Sequence, residues 1–226
     1  MAKSTKNLVP RFFNKTALSY DKIVNRTTFG KDKYWKKEIL KKIPQSQSIL
    51  DLACGTGILT RQISKKFPNA KIVGVDMTES YLKIAKKKLA LYQNISFVKQ
   101  DAEKLDLNYK FDCITSSYLP KYCKPEILIK SCLCHLRPGG IIILHDFIYP
   151  KNKTVRKLWN LYFEVLKILG FFIPSWKDVF IELPKLLRST KWLEEYQNVM
   201  KKYGLKVECQ TLTSETSAIL TGSNVV

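Results

Sequence analysis

Five short apolar runs, interleaved with stretches of helical periodicity, constrain this chain more than any other feature. Ser48–Ala53 (SILDLA), Lys71–Asp76 (KIVGVD), Ile95–Lys99 (ISFVK), Phe111–Ser117 (FDCITSS) and Ile141–Phe147 (IIILHDF) read as strands. Helices are expected over Ile58–Phe67, Glu79–Leu91 and Pro125–Leu136, with Arg137–Gly140 (RPGG) turning into the fifth strand. Strands without a polar face must be covered on both sides, and strands that alternate with helices run parallel. The expectation is an α/β chain with a doubly wound, mostly parallel sheet.

The two ends follow a different pattern. Lys31–Ile43 reads as a helix stopped by Pro44. From Pro150 to about Tyr203 the periodicity stays helical, with breaks expected at Gly170, Pro174 and Pro184. Leu205–Leu212 and Ser217–Thr221 are strand-like. The sheet is therefore expected to hold seven strands and to close with an antiparallel C-terminal hairpin after a helical insertion. The 226 residues suit one domain. Within it we expect an N-terminal helical cap (1–45), a ligand-binding core (46–149), a helical lid or substrate insertion (150–203) and closing strands (204–226).

Asp51-Leu-Ala-Cys-Gly55-Thr-Gly57 sits where the first strand must turn into a helix. Glycines there let the backbone approach a ligand without a Cβ in the way. Asp76 follows Gly57 by nineteen residues and ends the second strand, where a carboxylate can accept hydrogen bonds from both hydroxyls of a ribose. Alone, this plan also fits a dinucleotide loop, but that loop requires a third glycine three residues after the second. Thr60 occupies the position. Asp51 further favours a cationic ligand over a diphosphate, and its carboxylate suits the amino-acid end of S-adenosylmethionine. Asp101 and Ala102 follow the third strand, where an acid can accept from an adenine amino group, and Ser117 ends the fourth at the edge where open sheets bind ligands. S-adenosylmethionine is the cofactor these residues point to.

With 39 Lys and Arg against 19 Asp and Glu, the net charge is +20, and the first fifty residues hold 12 basic and 3 acidic side chains. Such a surface attracts nucleic acid, anionic lipid or a phosphorylated substrate, or is simply a solvated lysine-rich shell. No cationic cluster with interleaved aromatics marks a base-reading module, so a nucleic-acid partner is not expected. Six cysteines without CxxC pairing read as reduced thiols, and two histidines (His135 and His145) are too few for a zinc cluster, so no metal is expected. Met1–Pro10 has no apolar core after Lys3 and Lys6, and no apolar run is long enough to span a bilayer. A cytoplasmic location is expected, with attachment to the inner face of a membrane as an extension of it.

These features resemble the class I methyltransferases, and over nearly the whole chain they resemble the ubiquinone/menaquinone biosynthesis C-methyltransferase family. Tyr20-Asp21, Phe29-Gly30 and Trp35 have the spacing of its N-terminal signature. Asp51–Thr60 (DLACGTGILT), Asp101–Leu105 (DAEKL), Phe111-Asp112, Arg137–Gly140, Leu212-Thr213 and Ala218-Ile219-Leu220 follow its pattern. The resemblance implies a Rossmann-like fold, with Thr60, Asp76, Asp101, Ala102 and Ser117 as cofactor contacts. It further implies a prenylated quinol acceptor of the demethylmenaquinol type. The departures gather where substrate would lie. After Ser117 the family shows an apolar residue and Gly-Leu-Arg-Asn, where this chain has Tyr118-Leu-Pro-Lys121-Tyr122. Val24 and Asp32 stand where Asn and His are common, Asp146 where Glu is common, and Ile148 where Ser is common.

Carbon methylation of a hydroxylated ring needs a base for the phenolic proton, and His145 and Asp146 at the end of the fifth strand are the candidates. Tyr20, Trp35 and Tyr118 are the candidate pocket aromatics. Leu158, Leu161, Tyr162, Val165, Leu166, Leu169 and Phe172 form an apolar stripe opposite Lys157, Asn160, Glu164 and Lys167. It is expected to pack against the sheet, to admit a prenyl tail, or to dip into an anionic membrane. Competing acceptors are another small molecule, an arsenical or a lipid headgroup, and, from a different class, RNA.

Overall fold

In a computed structural model, residues 8–13 and 15–224 are described. The expectation drawn from Lys3 and Lys6 lies outside them. The strands are β1 (Ser48–Leu52), β2 (Lys71–Asp76), β3 (Ile95–Lys99), β4 (Phe111–Ser117), β5 (Leu136–Phe147), β6 (Lys206–Leu212) and β7 (Ser217–Ser223). They form one seven-stranded sheet in the order β3-β2-β1-β4-β5-β7-β6. The first five run parallel and β7 inserts antiparallel between β5 and β6, the doubly wound sheet with a closing hairpin expected from sequence. The helices are α1 (Leu8–Phe13), α2 (Tyr20–Thr27), α3 (Lys31–Lys42), α4 (Ile58–Lys66), α5 (Glu79–Lys88), α6 (Pro125–Cys134), α7 (Lys153–Phe172), α8 (Lys177–Ser189) and α9 (Trp192–Lys202).

The strands alternate side chains between two apolar layers. Leu50, Leu52, Val73, Val75, Ile114, Ile142 and Leu144 pack with Leu128, Ile129 and Cys132 of α6 and with Trp192, Tyr196 and Met200 of α9. Their neighbours Ile49, Ile72, Cys113 and Ile143 pack on the other face with Trp35 and Ile39 of α3 and Leu59 and Ile63 of α4. A third cluster joins α1, α2, α7 and α8 through Val9, Phe12, Ile23, Val24, Trp159, Phe163, Val179 and Phe180. These four helices form a roof, whereas α9 belongs to the sheet core. Of the helices between β5 and β6, α7 and α8 therefore pack in this cluster and α9 on the sheet.

Three local expectations are corrected. Arg137–Gly140 does not precede the fifth strand but lies inside it: the pairing with β4 jumps from Phe111↔Leu136 to Cys113↔Ile141, so the segment is accommodated as an irregularity of β5. Gly170 and Pro184 lie within α7 and α8 and break neither helix. A Cβ at Gly170 would come within 3.2 Å of the Lys177 backbone, so this glycine permits the close approach of α8. Finally, α7 buries Trp159, Phe163, Leu166 and Gly170. Most of the expected stripe points outward, with Leu158 and Leu161 each 63% and Phe172 80% exposed.

Candidate functional site

The loop leaving β1 holds three residues in the left-handed region: Ala53 (φ 52°), Gly55 (φ 55°) and Gly57 (φ 81°). At Gly57 a side chain is excluded by space as well as by φ, since a Cβ would lie 2.7 Å from Leu89 Cδ1. Asp76 shapes the same loop from the end of β2. Its Oδ2 accepts from the Gly55 N–H (2.9 Å) and its Oδ1 from the Thr78 N–H (2.8 Å). Burial raises its pKa, opposed by these backbone hydrogen bonds.

A cleft opens over the carboxyl ends of the strands. Ala53, Gly55, Asp76, Met77, Asp101, Ala102 and Ser117 form its floor, and Val9, Phe13, Tyr20, Tyr81, Leu119 and Tyr122 its apolar walls. The wall is an aromatic cluster: Tyr20 meets Tyr81 edge-on at 5.2 Å, and Phe13 meets Tyr81 at 5.8 Å and Tyr122 at 6.0 Å. Tyr20 also stacks on Trp176, which ties the wall to the turn before α8. A smaller compartment shares Tyr20, Ala53, Gly55, Ser117 and Tyr118 with the cleft and adds Lys36, Asp51, Cys54 and Thr56.

Asp51 is buried in this compartment, and burial pushes its pKa up to about 7 against the hydrogen bond from Thr60 and the charge of Lys36. Lys36 reaches in from α3, where it is ion-paired with Asp32 one turn earlier. Tyr118 completes the group. Its hydroxyl donates to Asp32 Oδ1 (2.8 Å), its ring stacks on Phe147, and its backbone holds φ 72°, strained for a non-glycine residue. Two departures from the resembled family, Asp32 and Tyr118, thus touch each other across 86 residues of sequence. An acid and an ammonium at one end, carboxylates along the floor and aromatic walls match a zwitterionic amino-acid group attached to a nucleoside.

A model of the ubiE/COQ5 methyltransferase family matches residues 1–224. The chain belongs to this family. It is an S-adenosylmethionine-dependent methyltransferase, and the cleft's donor set fits that cofactor. The chain is 28% identical to the ubiquinone/menaquinone biosynthesis C-methyltransferase UbiE of Idiomarina loihiensis, over 96% of this chain and 90% of that protein. It is 26% identical to the demethylmenaquinone methyltransferase of Staphylococcus aureus strain JH9, over 97% of this chain and 94% of that one. Among solved structures, a putative S-adenosyl-L-methionine-dependent methyltransferase of Methanococcus maripaludis superposes with a TM-score of 0.68 at 19% identity, covering 95% and 94% of the two chains. The last likeness is one of fold.

Of the residues singled out from sequence, Asp51, Gly55, Asp76, Asp101, Ala102, Ser117, Tyr20 and Tyr118 line the methyltransferase cleft. The others stand behind it. Thr60 is fully buried and meets Asp51, not the cleft. Trp35 is buried behind Tyr118, with its Nε1 donating to Thr213 Oγ1 (2.7 Å). His145 is fully buried between Ser117 Oγ (3.0 Å from Nδ1) and Ser217 Oγ (2.7 Å from Nε2), and burial with the charges of Lys36 and Lys121 lowers its pKa well below the usual value. Asp146 is fully buried in an ion pair with Lys121 (2.8 Å) and also accepts from the Lys121 backbone N–H. Sequence reasoning missed Lys36 and Tyr81, and placed Tyr122 only within the substrate-side departure of residues 118–122. The signal for Lys36 was its spacing of four from Asp32 on a helix; Tyr81 carried no distinguishing pattern.

Proposed function

We propose that this methyltransferase transfers a methyl group to a ring carbon of a prenylated quinol precursor of the demethylmenaquinol type. The observation that carries the reading is the aromatic wall of Phe13, Tyr20, Tyr81 and Tyr122 beside the acidic floor. A flat hydroxylated ring fits between such faces, and an apolar opening suits a prenyl tail. The names of the relatives favour the same acceptor.

In this reading Asp51 and Lys36 hold the amino and carboxyl groups of the cofactor's amino-acid end. Asp76 takes the ribose hydroxyls, Asp101 and Ala102 the adenine, and Gly55 and Gly57 keep the loop's backbone close to the ligand. When bound, S-adenosylmethionine supplies a methyl group on a sulfonium, activated for in-line displacement. The chain's own part is alignment and exclusion of water, and Tyr20 and Tyr118 flank the acceptor position. His145, held neutral, is a poor proton acceptor and instead fixes the Ser117 hydroxyl, while Asp146 is occupied by Lys121. Helices α1–α3, α7 and α8 act as the cap over the site.

A quinol of this kind resides in a bilayer, so the reading includes attachment to an anionic membrane surface from the cytoplasmic side. The second reading is another small-molecule or lipid acceptor, favoured by the Asp32–Tyr118 contact that replaces the family pattern. Incubation with labelled cofactor plus demethylmenaquinol, arsenite or total RNA separates the candidates. Label in the quinol supports the proposal, and label in arsenite or RNA alone overturns it.

A further inference from the structure

Helix α7 has two apolar faces. One is buried in the roof through Trp159, Phe163 and Leu166. The other carries Leu158 (63% exposed), Leu161 (63%), Val165 (48%), Ile168 (60%) and Phe172 (80%), spaced three and four residues apart along a 20-residue helix. At 1.5 Å per residue the row is about 20 Å long. Phe29, 79% exposed, extends it sideways through its contact with Tyr162 (5.7 Å). Isolated exposed apolar side chains are ordinary, but a contiguous row of this size marks a surface that meets something apolar. Among the described residues nothing covers it.

The charges around the row identify the partner. From Lys151 to Lys177 the chain holds six basic residues (Lys151, Lys153, Arg156, Lys157, Lys167, Lys177) and one acid, Glu164, which is paired with Lys167 at 2.6 Å. Arg26 and Lys31 flank Phe29 in the chain, and both are exposed. Lys177 Nζ sits 5.0 Å from the ring centre of Phe171, itself 68% exposed. A second copy apposed along this face would set one cationic rim against another. An anionic bilayer instead meets the rim with phosphates and the row with acyl chains. Among the described residues no helix is long and apolar enough to cross a membrane, so the contact is one of lying on the surface.

We propose that the outer face of α7, with Phe29, docks the protein onto an anionic lipid bilayer. The face backs directly onto the helices that wall the cleft, because Val9 and Tyr122 belong both to the roof cluster and to the cleft lining. Docking therefore turns the roof toward the membrane. The inference deepens the quinol reading by supplying the surface on which a lipidic acceptor would be met, yet its test needs no acceptor.

The test is sedimentation of the full chain with vesicles of phosphatidylcholine alone and of phosphatidylcholine with phosphatidylglycerol, for wild type, Ile168→Glu and Phe172→Glu. Cofactor affinity and thermal melting report that each variant is folded. The expected result is binding to the anionic vesicles, weakened by salt, with each variant at least about tenfold weaker because an apolar anchor is lost. Absence of wild-type binding, or equal binding by both variants, overturns it. So does a concentration-dependent dimer that Ile168→Glu abolishes while vesicles go unbound, since that assigns the face to a second copy. Failure to methylate demethylmenaquinol alongside normal vesicle binding would sink the acceptor assignment and leave the docking face standing.

Discussion

Thr60 donates its hydroxyl hydrogen to Asp51 Oδ2 across 2.6 Å, inside the core and out of reach of the cleft. The threonine that stands where a dinucleotide loop would carry a third glycine therefore acts on the compartment through Asp51 and does not line the cleft itself. It stabilises the ionised form of the Asp51 carboxylate, which in the proposed binding mode faces the cationic end of the ligand. Thr60→Val is expected to weaken S-adenosylmethionine binding about tenfold at neutral pH, the worth of one hydrogen bond to a charged group. The defect should shrink in alkaline buffer, where Asp51 ionises without help, and Thr60→Ser should bind normally. Calorimetric titration checks all three.

Asp51 also makes binding pH-dependent. Its pKa in the folded protein is raised to about 7 by burial. The unfolded value is lower, so this group's contribution to stability is fully present below the unfolded pKa and is lost as pH rises through about 7. Ligand binding reverses the preference, because the cationic cofactor selects the carboxylate. Affinity should rise with pH up to about 7, and binding below that point should release up to one proton. Titration in two buffers of different ionisation enthalpy measures the proton. A pH-independent affinity that persists in Asp51→Asn would show that the carboxylate does not face the ligand.

Lys121 and Asp146 form an ion pair at 2.8 Å with side chains 2% and 0% exposed. Removing one partner strands the other charge, so Asp146→Asn should cost about 3–5 kcal/mol in urea unfolding. Replacing both, with Lys121→Met and Asp146→Leu, should recover much of the loss. If Asp146→Asn instead leaves stability intact and abolishes turnover alone, the residue has a chemical role.

At Gly57, φ 81° and a Cβ position 2.7 Å from Leu89 Cδ1 penalise any side chain. Gly57→Ala should destabilise the fold by about 1–3 kcal/mol. Adding Leu89→Ala to relieve the contact should recover only the steric part. Thermal melting of the two variants separates the contributions.

The five parallel strands were legible because each is a short apolar run, with no solvated face in the central ones, and the loop after β1 because glycines and Asp76 recur at fixed spacing. Asp101 and Ser117 follow from their places at strand ends. The rest depended on contacts between distant segments. Nothing local announces that Tyr118 reaches Asp32, or that Lys36 enters the compartment of Asp51 from the N-terminal helices. Helices α1 and α2 are short, and their apolar residues make sense only against α7 and α8. For α7 the period was right, and of the alternatives for its stripe the packing against the sheet is the one the structure does not show, since most of the stripe is exposed. Trp159 and Phe163 bury larger side chains than Leu158 and Leu161 would, and Gly170 lets α8 close on that side. His145 and Asp146 lie at the expected strand end, but their partners Ser217 and Lys121 come from elsewhere in the chain.

The most direct test of the central claim is the fate of the methyl group when the protein is given labelled S-adenosylmethionine and a short-chain demethylmenaquinol in detergent. The expected product is a quinol with one added methyl by mass spectrometry and without the ring C–H signal by proton NMR. Asp76→Ala should abolish the transfer together with cofactor binding. A methyl group found on oxygen, or a quinol left unmodified by protein that binds the cofactor normally, would contradict the claim.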